Sequence, residues 1–289
     1  MNKALFVDGI SYHTGEKVIL DNISFSVYNN ETVAILGENG AGKTTLLNII
    51  LKDIPYNSGI IEFYSNRNFN KKEIGACYDN LNILSLLKVS ELIHLFCTFY
   101  SLNFTNILNQ YSVPFKLQEI NDTYICKLSM GERKRIAVLL SIIHNPRFLI
   151  MDEPFSNIDP SLLQTLWKNI KTKDRTILYS THNWEEAANS ADKVIFMSKG
   201  KIISDPDTPT NILSKLPSHT ILGIENCSNK ILDYFKGLEY YQKDSSTCIF
   251  INENFNFSDL NMISDCPIKK MKAGLLDAYL YLSNINKKE

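Results

Sequence analysis

The segment ETVAILGENGAGKTTLLNIIL, residues 31–51, combines a strand pattern, a glycine-rich turn and a helix pattern in direct succession. Residues 32–36 form a short apolar run, which predicts a strand that is buried on both faces. Apolar residues then recur with helical spacing at Leu46, Leu47, Ile50 and Leu51. The segment therefore predicts a strand, a tight loop and a helix in an α/β core.

The turn within this segment has the spacing of a phosphate-binding loop. Gly37 is followed by four residues and then by Gly42, Lys43 and Thr44. Glycines let successive backbone N–H groups point at an anion, and the helix that starts near Lys43 adds the positive end of its dipole. Lys43 would reach the β and γ phosphates, and Thr44 would offer its hydroxyl to Mg²⁺. Chance would give this spacing in roughly one chain of this length in a hundred, so the loop predicts a nucleotide site.

The composition describes a globular chain without a strong charge bias. At 289 residues and 44% apolar content, the chain has room for one large domain and a smaller one. Lys and Arg number 30, and Asp and Glu number 31. This balance gives no electrostatic case for nucleic acid or an anionic membrane surface. We therefore expect no nucleic-acid partner, and we expect any membrane role to depend on a protein partner.

The cysteines and the apolar stretches indicate a soluble protein of a reducing compartment. The six cysteines stand far apart, without a Cys-x-x-Cys pair or nearby histidines. We expect free thiols rather than a zinc site or a disulfide framework. The first residues, MNKALFVDG, lack the apolar core of a signal peptide. The longest apolar stretch, around residues 92–102, is too short to span a bilayer.

Two acidic residues follow a second buried strand pattern. Residues 148–151 are apolar, and Asp152 and Glu153 come directly after them. Because α/β sheets place ligand chemistry at the carboxyl ends of their strands, Asp152 would hold Mg²⁺ through water, and Glu153 would orient or deprotonate the attacking water. Another buried strand pattern, residues 176–180, ends just before His182. This histidine is either a structural residue at a strand end or a neighbour of the phosphates.

Three further residues have a structural interpretation in their local sequence. Ser129, in LSMGERKR (residues 128–135), can cap the next helix with the glutamate three residues later, and taken alone this structural interpretation is favoured. Asp159 can cap another helix, with Pro160 in its first turn. Tyr12, at the end of the first predicted strand, is either an ordinary strand aromatic, which its local sequence favours, or a ring on which an adenine stacks.

The remaining patterns outline the organisation of the chain. Strand patterns cover residues 4–12 and 18–27, and a hairpin pattern at residues 194–204 closes the core. Residues from about 80 to 145 have helical or irregular patterns, which predict a helical insertion, and Ser90 is expected to cap a helix that runs to about Ser101. Residues 217–289 predict a separate, small α+β unit, with a strand at 220–224, a helix at 230–235, a hairpin at 239–251 and a closing helix at 275–283.

Taken together and in this order, the motifs resemble those of the ATP-binding subunit of an ABC transporter over about residues 1–215. The resemblance implies an α/β fold of the P-loop NTPase class, with a RecA-like core, an antiparallel β subdomain and the helical insertion. It implies an ABC ATP-binding domain at residues 1–216 and an accessory α+β subdomain at residues 217–289. The Walker A loop, which binds ATP, is then formed by Gly37, Glu38, Asn39, Gly40, Ala41, Gly42, Lys43, Thr44 and Thr45.

The same resemblance assigns catalytic and metal-binding roles. Asp152 and Glu153 become the Walker B pair, and His182 becomes the switch histidine. Glu153, His182 and Lys43 are then the catalytic residues. Thr44 and Asp152 are then the ligands of Mg²⁺.

The resemblance further implies contacts to ATP from outside the loop. Ser129 and Gly131 belong to the ABC signature, and they are expected to touch the γ phosphate of ATP on the opposite subunit. Asp159 falls in the D-loop. Tyr12 becomes the adenine-stacking aromatic, so that the resemblance reverses the preference given by its local sequence.

Two positions depart from the family pattern. Met130 stands where glycine is commoner in the signature. Asp79, within residues 74–91, stands where the family normally carries the Q-loop glutamine. We place Asp79 among the contacts to ATP and Mg²⁺. Because aspartate is shorter than glutamine and only accepts hydrogen bonds when ionised, we expect a weaker link between ATP binding and the catalytic centre.

The resemblance implies an ATPase in which two cassettes, identical or different, close head to tail over two ATP molecules and drive separate membrane-spanning permease subunits. The chain would then be cytoplasmic, and these partners would hold it at the cytoplasmic face of the membrane. The segment LLDAYLYLS, residues 275–283, is similar to the tail of exporters of drug, peptide or sodium-efflux type, which implies export. Alternatively, residues 217–289 are a folding or dimer-stabilising appendage.

Other functions of the family remain as alternatives. One is an ATP-dependent clamp that serves regulation or assembly without transport. Soluble members that act in translation carry two cassettes in one chain, and members that act in DNA repair carry a long coiled coil, whereas this sequence has one phosphate loop and no heptad run. The apolar residues of the segment 78–87 either line a groove for a short permease helix or belong to the core.

Overall fold

The computed structural model describes residues 2–65, 71–78, 85–225, 227, 231–232, 235–252, 255 and 266–285. The chain divides into two compact units. The first comprises Met1–Asn183 with Ser190–Pro206, and the second comprises Trp184–Asn189 with Asp207–Glu289. The expected domain boundary between residues 216 and 217 stays a prediction.

The first unit contains nine of the described strands and five of the described helices. The strands are β1 (Lys3–Thr14), β2 (Lys17–Tyr28), β3 (Thr32–Leu36), β4 (Ser58–Phe63), β5 (Ile74–Cys77), β6 (Phe148–Asp152), β7 (Thr176–Thr181), β8 (Lys193–Ser198) and β9 (Lys201–Ile202). The helices are α1 (Lys43–Ile50), α2 (Val89–Phe99), α3 (Phe104–Tyr111), α4 (Met130–Ile142) and α5 (Pro160–Ile170). The predicted strands at residues 4–12 and 18–27 and the hairpin at 194–204 are confirmed, with small differences at their ends.

A six-stranded sheet forms the core of this unit, in the order β5-β6-β7-β3-β8-β9. All pairs are parallel except the terminal hairpin β8-β9. Every residue of β3, β6 and β7 is buried, because these central strands are covered on both faces, and the sequences of β3 and β6 are correspondingly apolar. The arrangement confirms the predicted α/β class and brings the carboxyl ends of β3, β6 and β7 to one edge.

A second sheet of three antiparallel strands, in the order β2-β1-β4, packs into the same hydrophobic core. Side chains at residues 5–8 of β1 alternate between buried and more exposed positions, as expected for a sheet with one face on the core. Phe63 of β4 meets Phe148 of β6 edge to face, with ring centroids 5.2 Å apart. This contact links the antiparallel sheet to the strand that carries the acidic pair.

Helices α2, α3 and α4 occupy much of the region predicted as the helical insertion. Helix α2 begins at Val89, and the Lys88 N–H donates to the Glu91 carboxylate at 2.8 Å. Ser90, which the sequence favours as the cap of this helix, therefore lies inside its first turn, and that prediction is wrong. Lys88 forms an isolated antiparallel bridge with Tyr124, and this extended conformation fixes where the helix starts.

The second unit is built around a four-stranded antiparallel sheet, in the order β11-β12-β10-β13. Its strands are β10 (Thr220–Glu225), β11 (Tyr240–Lys243), β12 (Ser246–Ile251) and β13 (Ile268–Lys272), and its helices include α7 (Pro209–Ser214) and α8 (Leu275–Ile285). Helix α6 (Trp184–Ser190) also belongs to it, except for its last residue. Trp184 contacts Tyr279 of α8, with ring centroids 5.0 Å apart.

The elements of this unit agree with the small α+β unit that the sequence predicts. The strand at 220–224, the hairpin at 239–251 and the helix at 275–283 are confirmed. Half of the helix predicted at residues 230–235 lies outside the described residues. Among the helices that the structure describes, none is long and apolar enough to cross a membrane.

Candidate active site

The loop between β3 and α1 depends on glycines at two positions. Gly42 has a φ of 100°, in the left-handed region that disfavours side chains, and it caps α1. A Cβ atom on Gly42 would also lie 2.8 Å from the Cδ2 atom of Leu20. At Gly37 a Cβ atom would lie 2.1 Å from the carbonyl oxygen of Met197 on β8. Sterically, the loop therefore needs both glycines that the sequence motif contains.

Lys43 is the first residue of α1, and its ammonium group is held over the loop. Its Nζ atom donates to the carbonyl oxygens of Gly37 at 2.7 Å and Glu38 at 3.1 Å. Burial lowers the pKa of Lys43, and the Glu153 and Asp152 carboxylates partly oppose this shift. The amino-terminal N–H groups of α1 have no intrahelical partners and point the positive end of the helix dipole at the same loop. The loop thus presents a cation and backbone donors to an anion.

Thr44 and Thr45 follow on the first turn of α1. Thr44 is exposed and Thr45 is partly buried, so the Thr44 side chain is accessible at the start of the helix. The placement of Thr44 agrees with the sequence interpretation of an accessible hydroxyl, and its role in binding a metal ion stays a prediction.

Asp152 ends β6, and its carboxylate is fixed by the neighbouring strand. The side chain is buried, and Oδ1 accepts a hydrogen bond from Ser180 Oγ at 2.5 Å. Ser180 is the register partner of Asp152 on β7. The parallel pairing of β6 and β7 therefore sets the orientation of this carboxylate.

Glu153 lies at the sharp turn that follows β6. Its φ is 46°, an uncommon value for a residue with a side chain, and such residues cluster at functional sites. Its N–H lies 3.0 Å from Ser180 Oγ and 3.2 Å from the Ser180 carbonyl oxygen. Its own carbonyl accepts from Ser156 N–H at 3.3 Å and from Ser156 Oγ at 3.0 Å. Hydrogen bonds on both sides thus hold Glu153 in a strained conformation.

The Glu153 side chain reaches His182, which follows the end of β7. Glu153 Oε2 lies 2.7 Å from His182 Nδ1. The Glu153 side chain is 18% exposed, whereas the His182 side chain is 62% exposed. A carboxylate that is largely shielded and oriented by an accessible imidazole is suited to accept a proton from a water molecule. The structure therefore brings together three of the residues that the sequence singles out, Asp152, Glu153 and His182.

Ser129 caps α4 through the capping box that the sequence predicts. Ser129 N–H and Ser129 Oγ each lie 2.8 Å from Glu132 Oε2, and Glu132 N–H donates to Ser129 Oγ at 3.3 Å. The hydrogen bonds from the Ser129 backbone and hydroxyl lower the pKa of Glu132. The structural interpretation of Ser129 is thus confirmed, and a contact of Ser129 to ATP stays a prediction.

Gly131 packs closely against the segment that contains Asp159. A Cβ atom on Gly131 would lie 2.3 Å from the carbonyl oxygen of Asn157. Asp159 Oδ1 accepts from Ser161 N–H at 2.8 Å and caps α5, as predicted, and this hydrogen bond lowers the pKa of Asp159. The turn at residues 129–131, called the signature turn below, and the segment before α5 are therefore adjacent within one chain.

Tyr12 lies on β1, and Asp79 lies outside the described residues. The Tyr12 ring is partly buried against the hydrophobic cluster that also contains Ala41 of the phosphate loop. Its hydroxyl lies 3.4 Å from Thr14 Oγ1. The structure thus supports the ordinary structural role of Tyr12, and adenine stacking on this ring stays a prediction.

Sequence reasoning missed two residues of the site, Ser180 and Lys134. Ser180 contacts both Asp152 and Glu153, and its place two residues before His182, on a buried strand, could have identified it. Lys134 of α4 is 5% exposed, and its Nζ donates to the Asp152 carbonyl oxygen at 3.1 Å. The local sequence carries no signal for Lys134, because this lysine lies within the charged run of residues 132–135 and looks like part of a solvated helix face.

The side chains at this edge fit a magnesium ion that is held together with a nucleotide. Within the described ranges, no group of three His, Cys, Asp or Glu side chains could hold a metal ion. Mg²⁺ prefers oxygen ligands and is usually bound by one or two carboxylates together with phosphates and water. The Thr44 hydroxyl and the fixed Asp152 carboxylate are donors of this kind.

Comparisons with known proteins agree with the geometry. Residues 20–156 match the family model described as ABC transporter. The chain is 31% identical over 209 residues to an uncharacterised ABC transporter ATP-binding protein of Methanocaldococcus jannaschii, covering 70% of this chain and 77% of that protein. It is 30% identical over 213 residues to Nod factor export ATP-binding protein I of Ralstonia nicotianae, covering 69% and 66%. It is 30% identical over 230 residues to phosphonates import ATP-binding protein PhnC of Fusobacterium nucleatum, covering 70% and 92%.

A solved structure of similar fold is the ATP-binding subunit of an ABC transporter. The TM-score is 0.65 at 24% sequence identity, and the match covers 73% of this chain and 92% of that subunit. At this identity the likeness shows the fold, which is the P-loop NTPase fold that the sequence predicts.

Proposed function

Because the chain belongs to the family of ABC transporter ATP-binding proteins, which bind and hydrolyse ATP, we propose that the edge formed by residues 37–45, Asp152, Glu153 and His182 is its catalytic site. The observation that carries this assignment is the 2.7 Å contact between Glu153 Oε2 and His182 Nδ1. Lys43 of the phosphate loop supports the same assignment, because burial lowers its pKa and the negative charges of Glu153 and Asp152 both act to raise it.

The residues of the site divide into those that bind phosphate and those that act on water. Lys43 and the N–H groups of residues 37–45 bind the β and γ phosphates. Thr44 and Asp152, the latter through water, would hold Mg²⁺, which when bound neutralises charge on the phosphates. Glu153 orients a water molecule or accepts its proton, and His182 holds the Glu153 carboxylate in place. Tyr12 and Asp79 complete the proposed contacts to ATP and Mg²⁺.

We further propose that a second ABC subunit, identical or different, completes each site in a head-to-tail dimer. Ser129 lies at the exposed amino terminus of α4, and Met130 beside it is 69% exposed. The close packing of Gly131 on Asn157 would let the signature turn and Asp159 meet a partner surface together. ATP hydrolysis by the isolated subunit should then depend on the square of protein concentration at low concentration.

Separate membrane-spanning permease subunits are the proposed partners, and they would hold the chain at the cytoplasmic face of the membrane. We propose that residues 78–87 form the docking segment for the permease. In this segment, Tyr78 is 43% exposed and Leu86 is 82% exposed. The exposure of Leu86 favours docking over a role in the core for this residue. Leu81, Ile83 and Leu84 lie outside the described residues.

Export is the proposed direction of transport, and it rests on the resemblance of residues 275–283 to exporter tails. The names of the relatives do not favour one direction, because one is an export protein and another an import protein. Direction can be tested by measuring substrate flux in vesicles of known orientation once the permease has been identified.

The catalytic assignment is tested by Glu153→Gln, which keeps the size of the side chain and removes its charge. ATP binding should stay within a few-fold of the parent, and phosphate release should fall to background, because the amide cannot accept the proton of water. The variant should also accumulate as an ATP-bound dimer in size-exclusion chromatography. Glu119→Gln, at an exposed position of the helical region, is the matched control and should hydrolyse ATP normally. Hydrolysis by Glu153→Gln at the parent rate would refute the assignment.

A further inference from the structure

The ammonium group of Lys134 lies where three elements of the first unit meet. Lys134 is on α4, four residues after the start of that helix, and its side chain is buried. Its Nζ atom lies 3.1 Å from the carbonyl oxygen of Asp152, at the end of β6. It also lies 3.4 Å from the carbonyl oxygen of Tyr78, which follows β5. The side chain of Lys134 therefore connects α4 to the ends of β5 and β6.

The contact to Asp152 involves the peptide group that joins Asp152 to Glu153. Lys134 binds the carbonyl oxygen of this peptide group, and Ser180 binds its N–H. Because a peptide group is planar and rigid, fixing both its oxygen and its N–H fixes its orientation. The direction in which the Glu153 side chain leaves the backbone is fixed with it. This restraint acts at a residue with a φ of 46°, where the backbone is strained.

Packing alone does not account for a charged residue at this position. The flanking helix positions from Ile136 to Ile142 are filled by buried side chains, and an uncharged side chain of similar length could fill the same volume. Burying an ammonium group is unfavourable unless hydrogen bonds compensate for the lost water. Hydrogen bonds from a charged donor are about twice as strong as neutral ones. Among the contacts that the structure describes, the charge of Lys134 is directed at the carbonyl oxygens of Asp152 and Tyr78.

We infer that Lys134 is a positioning residue for ATP hydrolysis, which orients the Asp152–Glu153 peptide group and links it to the backbone at Tyr78. The inference rests on the proposed role of Glu153. It also connects the catalytic edge to the proposed docking segment 78–87, since Tyr78 is the first residue of that segment. A displacement of the Tyr78 carbonyl would change the hydrogen bonding of the same ammonium group that holds the peptide before Glu153.

Lys134→Met tests the inference, because methionine keeps the unbranched side chain and removes the charge. We expect kcat to fall about ten- to a hundred-fold, as for a small misplacement of a catalytic group. The KM for ATP and the Kd of ATP, measured by equilibrium dialysis, should stay within a few-fold, because the described hydrogen bonds of Lys134 go to the carbonyl oxygens of Asp152 and Tyr78 and to no residue of the phosphate loop. Lys134→Arg, which restores a donor, should recover part of kcat.

A second measurement follows the backbone directly and does not depend on turnover. Amide hydrogen exchange in peptides covering residues 150–158 should be faster in Lys134→Met, whereas peptides from the antiparallel sheet should be unchanged. Lys168→Met, an exposed lysine on α5, is the matched control and should change neither exchange nor kcat. A merely structural lysine would not produce this combination of lowered kcat, constant KM and local exchange.

The outcomes separate this inference from the proposed function. If folded Lys134→Met keeps the parent kcat, or loses only ATP affinity, the inference is overturned. If Lys134→Met does not fold, Ser180→Ala removes one hydrogen bond from the other side of the same peptide group, and an unchanged kcat in that variant overturns the inference as well. Glu153→Gln is assayed in parallel. Hydrolysis by that variant at the parent rate would show that the proposed catalytic role has failed, whatever Lys134 does.

Discussion

Replacing Gly131 by alanine should separate the signature turn from the segment before α5. The added Cβ atom would lie 2.3 Å from the carbonyl oxygen of Asn157, whereas real Cβ contacts are essentially never shorter than 3.0 Å. One of the two backbones must therefore move by about 0.7 Å or more. Both backbone segments resist this movement, because Ser129 is held by its capping box and Asn157 has a φ of 60°.

Overpacking of this kind typically destabilises a protein by about 1–3 kcal/mol. We expect the free energy of unfolding of Gly131→Ala, measured by urea denaturation, to fall by an amount in this range. Gly75→Ala is the matched control, because its Cβ atom would lie 2.0 Å from the carbonyl oxygen of Ser141, in the core rather than at the signature turn. Both variants should lose stability, but only Gly131→Ala should lose the dependence of ATP hydrolysis on the square of protein concentration.

Two results would refute the prediction for Gly131. If Gly131→Ala unfolds at the parent urea concentration, the close contact to Asn157 does not constrain the protein. If Gly75→Ala and Gly131→Ala reduce ATP hydrolysis equally at equal stability, the signature turn has no role beyond packing.

The remaining predictions concern pH, partner docking and the Q-loop position. Burial lowers the pKa of His144 below its usual 6.5. The stability that the neutral imidazole contributes is therefore present above about pH 6.5 and is lost as the pH falls through the lower pKa of the folded state. Urea denaturation at several pH values should show this loss, and His144→Gln should reduce it. Leu86→Glu should abolish retention on permease-containing membranes without changing basal ATP hydrolysis, whereas the control Val113→Glu, 75% exposed, should not; retention of folded Leu86→Glu would contradict docking there. Asp79→Gln should leave ATP affinity within a few-fold and either raise basal ATP hydrolysis or lower the Mg²⁺ concentration for half-maximal rate; no change in either would mean that Asp79 has no role in coupling.

The local motifs of the site could be predicted from the sequence because each is encoded within a few residues. The phosphate loop needs glycines at fixed spacing, and the strand–loop–helix pattern of residues 31–51 shows where the loop lies in the fold. The caps at Ser129 and Asp159 follow the same logic, since the side chain and the N–H that it binds are close in sequence. Parallel order then brings the carboxyl ends of β3, β6 and β7 together.

The contacts that orient the site could not be predicted, because they join residues that are distant in sequence. Ser180 is 28 residues from Asp152, and Lys134 is 18 residues from it. Their pairing depends on strand register and helix placement, which the sequence pattern does not encode. The start of α2 was misplaced for the same reason, because the bridge that keeps Lys88 extended joins it to Tyr124, which is distant in sequence.

The contact between Trp184 and Tyr279 has a consequence for the modularity of the protein. Trp184 lies two residues after His182, yet its helix belongs to the second compact unit, and the chain returns to the first unit at Ser190. A truncation after Pro206 would remove Tyr279 and leave the Trp184 ring without this partner. A single truncation or gene fusion after Pro206 would therefore separate Trp184 from the rest of the second unit, and it would not move this unit intact to another cassette.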